Sequence, residues 1–182
     1  MTFKETRLQG TYAIELEKYG DDRGFFARTF CRNEFEEHEL SPGIVQINVS
    51  MTRKRGTLRG LHFQRPPHAE DKTIRCLNGR VFDVAVDLRT DSSTYGQWVA
   101  MILDSEERNM IHIPKGCAHG FLTLTPDVEL LYCHSAIYAP ECEGGVRYND
   151  PQLGIQWPAE INSLSERDAE LPFFHDVEGI DL

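Results

Sequence analysis

The middle of the chain is a succession of short β-type segments that recur about every ten residues. They are rich in Val, Ile, Leu and aromatic residues, and Gly, Pro, Asn or Asp separates them: GIVQINVSM, TIRCLNGRVFDVAVDLR, QWVAMIL, NMIHIPKG and VELLYCHSAIYAP. No amphipathic helices intervene, which disfavours a sheet built from βαβ units. The spacing therefore predicts an all-β fold, either an antiparallel sandwich or a barrel.

The segment around residue 80 gives the clearest local signals. Asn78-Gly79 predicts a tight hairpin, because both residues tolerate the positive φ of a type I′ turn. After Arg80, alternate side chains fall on opposite faces of a strand. One face is apolar and the other is mixed, with Phe82, Val84, Val86 and Leu88 on the first and Val81, Asp83, Ala85 and Asp87 on the second.

Helices are predicted in only two places. RNEFEEHEL forms one from about residue 32, and Ser41-Pro42-Gly43 ends it. SERDAELP forms the other, where Ser165 and Asp168 have the spacing of an N-terminal capping box. The chain shows no repeat or linker, so residues 1–182 are expected to form one domain that buries roughly two-thirds of its unfolded surface.

Charge and composition limit the partners. The formal net charge of −10 argues against nucleic acid, since a phosphate backbone would be repelled. No apolar run reaches the roughly 20 residues that span a bilayer, so no membrane partner is expected. Five cysteines without a CxxC pair, and an N-terminus without a signal-peptide core, favour the reducing cytoplasm.

One cationic patch departs from the acidic average. Arg53, Lys54, Arg55 and Arg59 lie within the segment MTRKRGTLRG. Such a patch suits one phosphate or a diphosphate better than a duplex, although a solvated hairpin with the same charges is an equal alternative.

The segment LRGLHFQ carries the first candidate chemistry. Arg59 and His62 are three residues apart, which puts them on opposite faces of an unbroken strand. Gly60 between them indicates a bulge that re-aims side chains, so both are expected to reach one cavity. The alternative for His62 is a strand histidine that a neighbouring carbonyl satisfies.

Lys72 begins the following strand and shares a face with Ile74 and Cys76. Its ammonium group would then lie on an apolar wall, which is costly without an anionic partner. The ammonium group avoids the apolar wall only if a cavity receives it.

The segment IPKGCAHG matches the second signature of the cupin β-barrels and ends near His119. Metal-binding cupins add an HxH pair and a glutamate from a first signature, but here His62 begins the triplet HFQ, so the pair is missing. A metal site of His62, His68 and His119 is chemically conceivable, although nothing in the spacing selects it.

Cysteine nucleophiles are disfavoured. Cys133 and His134 are adjacent, so on a strand they point to opposite faces. Cys117 and His119 share a face, but a small buried thiol that packs as a hydrophobe is the simpler interpretation.

Taken together, eight blocks resemble the dTDP-4-dehydrorhamnose 3,5-epimerase family in order and spacing, over roughly residues 10–172. They are DDRGFF, LRGLHFQ, PPHAEDK, GRVFDVAVDLR, STYGQW, IPKGCAHGFLTL, LLYCHSAIYAP and NDPQLGIQWP. The resemblance implies a cupin-like antiparallel jelly-roll barrel with a few short helices. It also implies a cytoplasmic homodimer, a nucleotide-sugar substrate that is most often dTDP-linked, and no metal or other cofactor.

The resemblance assigns catalytic roles. His62 is the expected general base, Tyr132 the general acid and Asp168 the carboxylate behind the base, a residue that local sequence shows only as a helix cap. Removing a proton from C3 or C5 beside a C4 ketone gives an enolate, and histidine has the pKa range for that step. Lys72 and His119 are expected around the sugar carbonyl, where hydrogen-bond donors stabilise the enolate oxygen.

The resemblance also places residues around the nucleotide or sugar. Besides Lys72 and His119 these are Arg23, Phe26, Arg28, Gln46, Asn48, Arg59, Tyr138, Glu143 and Arg167. The N-terminal arm, about 1–30, is expected at the dimer interface, where Arg23 and Phe26 reach the neighbouring active site, and a helical tail is expected at about 163–182. Arg28 stands where many members carry a glutamate that faces the nucleotide. A cation in place of this anion could change which nucleotide is accepted, so the identity of the nucleotide stays undecided.

Three further points stay open besides the nucleotide. The sequence does not decide whether C3, C5 or both are inverted. A metal-dependent cupin isomerase or oxygenase is a second enzyme class that the barrel would allow. A sugar-nucleotide-binding or lectin-like barrel without turnover is the non-enzymatic alternative.

Overall fold

Two antiparallel sheets form the body of the protein in a computed structural model that describes residues 1–41 and 43–182. The six-stranded sheet has the spatial order β1 (Thr2–Glu5), β2 (Tyr12–Glu15), β10 (Met110–Ile113), β7 (Lys72–Asn78), β12 (Val128–His134) and β5 (Gln46–Thr52). The five-stranded sheet has the order β13 (Glu143–Gly145), β6 (Leu58–Gln64), β11 (Cys117–Thr123), β8 (Arg80–Asp87) and β9 (Trp98–Asp104). A separate hairpin joins β3 (Lys18–Asp21) to β4 (Gly24–Ala27). The predicted antiparallel jelly roll is confirmed.

Both predicted helices form, and both are short. Helix α1 covers Arg32–Glu36 and helix α2 covers Glu166–Ala169. The Ser165 hydroxyl accepts the backbone N–H of Asp168 at 3.1 Å, which confirms the predicted cap. Pro42, in the predicted stop of the first helix, lies outside the described residues. Among the described residues, no helix has the length and hydrophobicity to cross a bilayer.

The hairpin predicted at Asn78-Gly79 is wrong. Strands β7 and β8 belong to different sheets and do not pair with each other. Gly79 has a positive φ of 79°, whereas Asn78 does not take the positive φ that a type I′ turn requires. The turn carries the chain from one sheet to the other. The dipeptide correctly indicated a sharp turn. Which strand pairs with which depends on the whole sheet, and two residues do not determine it.

The main core lies between the sheets. Ile74, Ile111 and Leu130 come from the six-stranded sheet, and Val81 and Phe121 come from the five-stranded sheet. All are almost fully buried. Burying each such aliphatic side chain contributes about 1.5–3 kcal/mol relative to leaving it exposed.

A second core covers the outer face of the five-stranded sheet. Val84 and Val86 of β8, and Leu88 directly after it, pack there against the C-terminal part of the chain, including Val146 and Phe174. The apolar face that the sequence predicts for β8 is therefore the outer face. The mixed face points into the sandwich, so polar side chains such as Asp83 reach the interior.

The edges of the structure expose apolar side chains. Along the edge strand β5, Ile47, Val49 and Met51 are all exposed, as is Val45 directly before it. The β3–β4 hairpin also projects aromatic rings, with Phe26 75% exposed. Apolar patches of this kind commonly mark contact surfaces.

Candidate active site

A cavity of about 440 Å³ lies between the two sheets. Strands of both sheets, helix α2 and the segment after β12 contribute its walls. Many of the predicted site residues line it together, namely Asn48, Arg59, His62, Lys72, His119, Tyr132, Tyr138, Glu143, Arg167 and Asp168. Residues far apart in sequence thus meet in one place.

A β-bulge in β6 aims the first of these side chains. Gly60 and Leu61 together stand opposite the single Gly120 of β11. Gly60 has a φ of 105°, and a Cβ atom there would lie 2.6 Å from a carbonyl oxygen of β11. Only glycine fits without strain. The extra residue shifts the strand alternation, so Arg59 and His62 both line the cavity, as predicted.

His62 and Asp168 form a hydrogen-bonded pair. The Nε2 atom of His62 lies 2.8 Å from one carboxylate oxygen of Asp168, and the backbone N–H of Gly60 donates to the other at 3.1 Å. Burial alone would raise the pKa of Asp168, but these hydrogen bonds outweigh it and hold the pKa below its usual range. Asp168 is therefore a carboxylate that binds Nε2–H and leaves Nδ1 free to accept a proton.

Tyr132 approaches from the opposite sheet. Its hydroxyl lies 3.2 Å from the hydroxyl of Ser50. Its ring meets His119 edge-on, with ring centroids 6.2 Å apart. Burial raises the pKa of Tyr132, so the phenol keeps its proton and is available as an acid.

Lys72 lines the cavity, and its anionic partner is Glu70. The Nζ atom of Lys72 lies 3.1 Å from one Glu70 oxygen, and both side chains are mostly buried. His134 stands opposite Lys72 in the β7–β12 pairing, and its Nδ1 atom donates to the other Glu70 oxygen at 2.8 Å. The lysine therefore has a fixed place on this wall.

His119 has a buried carboxylate behind it. Its Nε2 atom lies 3.0 Å and 2.9 Å from the two oxygens of Asp83, which is fully buried. Sequence reasoning missed Asp83, Glu70 and His134. Two signals were present: Asp83 on the mixed face of β8, and His134 two residues after Tyr132 on the same face of its strand.

Polar side chains also form the rim of the cavity. Tyr138 donates its hydroxyl to a Glu143 oxygen at 2.8 Å, and Arg167 lies 2.7 Å from the same oxygen. The hydrogen bond with Glu143 raises the pKa of Tyr138. Gln46 stands behind the rim, where its side-chain oxygen accepts the backbone N–H of Tyr138 at 3.1 Å. Arg59 donates to the Thr52 hydroxyl at 3.2 Å.

Three predicted binding residues lie away from this cavity. Arg23 pairs with Asp21 on the β3–β4 hairpin and its side chain is 89% exposed. Phe26 is on the same hairpin and is also exposed. Arg28 pairs with Glu34 at 2.6 Å. Within one chain, these residues do not reach the cavity that holds His62.

The histidines do not assemble the metal site that remained conceivable from sequence. Within residues 1–41 and 43–182, the one set of three ligand-type side chains that approach within 4.8 Å is His68, Glu141 and Cys142. It contains neither His62 nor His119. Burial raises the pKa of the Cys117 thiol, in keeping with a packing role.

The fold and the site together define a jelly-roll protein whose cavity places a hydrogen-bonded histidine–carboxylate pair and a tyrosine hydroxyl on facing sheets. The sequence model of the dTDP-4-dehydrorhamnose 3,5-epimerase family matches residues 5–176. The chain belongs to this family.

Individual relatives agree along almost the whole chain. The dTDP-4-dehydrorhamnose 3,5-epimerase of Methanothermobacter thermautotrophicus is 44% identical over 169 residues, covering 91% of this chain and 90% of that protein. The crystal structure of the Elizabethkingia anophelis enzyme superimposes with a TM-score of 0.94 at 40% identity, covering 97% of each chain. The Legionella pneumophila enzyme in complex with dTDP-4-keto-L-rhamnose gives 0.92 at 38% identity, covering 100% of this chain and 98% of that chain. The predicted family and fold are confirmed.

Proposed function

We propose that this protein is an epimerase that inverts C3, C5 or both in a nucleotide-linked 4-keto-6-deoxy sugar. The reaction we assign is dTDP-4-dehydro-6-deoxy-D-glucose to dTDP-4-dehydro-L-rhamnose, a step of deoxysugar synthesis. The observation that carries the proposal is the His62–Asp168 pair facing Tyr132 across one cavity. Inversion needs a base and an acid on opposite faces of the sugar ring.

The proton transfers follow from this arrangement. Nδ1 of His62 takes the proton from C3 or C5, and the electron pair of the broken C–H bond forms the enolate with its charge on the C4 oxygen. Asp168 stabilises the imidazolium. Tyr132 then gives its proton to the same carbon from the other face, and exchange with solvent restores both groups.

Lys72 stabilises the enolate in this proposal, and His119 joins it as a donor only in the imidazolium form, because Asp83 accepts its Nε2–H and the neutral ring has no second N–H. Both side chains line the cavity, and each is held by a buried carboxylate, Glu70 or Asp83. Donors that are already oriented toward a developing oxyanion need no reorganisation as the charge forms. The steps are proton transfers alone, so the mechanism assigns no work to a metal or other cofactor.

The remaining cavity residues are proposed to hold the sugar and diphosphate. Arg59 and Arg167 are cations that line the cavity in addition to Lys72, and Asn48 adds a polar contact. A protein with a net charge of −10 repels a dianion at long range, so such short-range contacts must supply the binding. The ligand in the Legionella pneumophila structure supports a dTDP-linked sugar.

We further propose a cytoplasmic homodimer whose active sites are shared. The exposed apolar edge of β5 and the aromatic β3–β4 hairpin suit a contact with a second copy. Arg23 and Phe26 would then serve the partner's nucleotide, since they do not reach their own cavity. The five free thiols suit a reducing compartment.

Solvent deuterium exchange tests the function directly. The wild type should incorporate deuterium from D₂O at C3 or C5 of dTDP-4-keto-6-deoxy-D-glucose, followed by NMR. His62→Ala should lose about 10²- to 10⁴-fold in rate, the range of general-base catalysis. Near wild-type epimerisation by His62→Ala, or no exchange by the wild type, would overturn the proposal.

A further inference from the structure

We propose that Glu70 is a positioning residue of the active site, which fixes the Lys72 ammonium group where the enolate oxygen forms. The inference rests on the proposed function. It assigns a role to a buried carboxylate that takes no part in the proton transfers described above.

Glu70 has one partner for each of its oxygens. Lys72 occupies one oxygen at 3.1 Å, and Nδ1 of His134 occupies the other at 2.8 Å. The Glu70 side chain is only 8% exposed, although it lines the cavity. Both Glu70 oxygens are therefore directed at side chains of the cavity wall, Lys72 and His134.

The segment that carries Glu70 is itself held in place. The backbone N–H of Asp71 donates to the Ser135 hydroxyl at 2.7 Å, and that hydroxyl donates back to an Asp71 oxygen at 3.0 Å. The other Asp71 oxygen accepts the backbone N–H of Lys115 at 3.1 Å. These contacts join the start of β7 to the end of β12. Because Glu70 directly precedes Asp71, its backbone is held in place as well.

Stability alone does not explain such a pair. A buried ion pair often contributes little net stability, because both groups lose their hydration. Burial alone would raise the pKa of Glu70, yet the His134 hydrogen bond and the Lys72 charge outweigh it and keep the pKa low. Glu70 therefore stays a carboxylate inside the cavity wall, close to where the substrate would react.

The benefit is the placement of a flexible side chain. Lysine has a four-carbon stem with many rotamers, so an unpaired Lys72 would meet the substrate in many orientations. Lys72 and Tyr132 lie on adjacent paired strands and line the same cavity, opposite His62. Glu70 thus holds the cation on the acid's side of the sugar before charge develops.

A double-mutant cycle tests the role. Glu70→Gln keeps the size of the side chain but removes the charge, and it should lower kcat by about tenfold with little change in KM. Lys72→Met should cost more, about 10²-fold. The kcat of the double variant should equal that of Lys72→Met to within about twofold. Glu70 acts through the lysine, so its loss has no further effect once the lysine is gone.

Glu129→Gln is the matched control, since this exposed glutamate lies on β12, the strand of Tyr132. It should keep wild-type kinetics. If Glu70→Gln fails to fold by circular dichroism, Glu70→Asp, which retains the charge but shortens its reach, replaces it in the same cycle.

The outcomes separate the two proposals. A wild type without exchange contradicts the proposed function. An active wild type with an unaffected Glu70 variant contradicts the role of Glu70 alone, and so does a double variant whose loss is the product of the single losses.

Discussion

Gly60→Ala is expected to damage stability and catalysis together. The φ of 105° is a region that side chains rarely adopt, which costs about 1–3 kcal/mol. The new Cβ would also lie 2.6 Å from the His119 carbonyl oxygen and 2.7 Å from the Gly120 Cα, both backbone atoms that cannot rotate away. Relieving such overpacking costs about 1–3 kcal/mol more. The expected total is a destabilisation of about 2–6 kcal/mol.

Gly154→Ala is the control for the conformational part of this cost. Gly154 also has a positive φ, of 59°, but the nearest atom to an added Cβ is 3.9 Å away. Its cost should be about 1 kcal/mol. Urea unfolding at pH 7 measures both variants.

Catalysis provides a second test of the Gly60 argument. The backbone N–H of Gly60 binds Asp168, and the bulge aims His62, so Gly60→Ala should also lose activity in the fraction that remains folded. Gly154→Ala should stay active. Equal stability of the two variants, or full activity of Gly60→Ala, would refute the view that the bulge requires glycine and organises the base.

Three further predictions concern charge, metals and assembly. Because the pKa of Asp168 is lowered on folding, its stabilising contribution is present above the ordinary carboxyl pKa of about 4 and is lost as pH falls further. Asp168→Asn should therefore be less stable than wild type at pH 7, with a difference that shrinks toward pH 3 in urea unfolding; a constant difference would contradict this. Chelation should leave activity unchanged, and loss that zinc, iron or manganese reverses would show a metal requirement. Mixed His62→Ala and Arg23→Ala subunits should regain activity, since a heterodimer holds one site with both residues intact; no recovery after subunit exchange verified by mass would refute the shared site.

Local structure could be predicted where a residue has a strong local preference. Gly60 inside a strand pattern predicted the bulge, and Ser165 predicted the start of a helix. The alternation of side chains along β7 predicted that Lys72 shares the face of Ile74 and Cys76. These signals depend only on backbone geometry within a few residues. The four-residue strands β1 to β4 have mixed sequences such as KYGD that carry no clear period.

Long-range pairing could not be predicted from local sequence. Asn78-Gly79 indicated a turn but not that the next strand would join the other sheet. Asp168 lies 106 residues from His62 in sequence, and only the fold, or the family resemblance, connects the two. Glu70 and His134 likewise meet because β7 and β12 pair, which their separate segments do not reveal.

In the proposed mechanism, His62 removes the proton and Tyr132 supplies the new one from the opposite face of the sugar. Tyr132→Phe retains the base but lacks the proton that completes inversion. In D₂O with dTDP-4-keto-6-deoxy-D-glucose, NMR should show that this variant still exchanges the C3 or C5 proton, while inversion falls by a much larger factor than exchange. Equal loss of exchange and inversion would contradict a separate base and acid on opposite faces of the sugar.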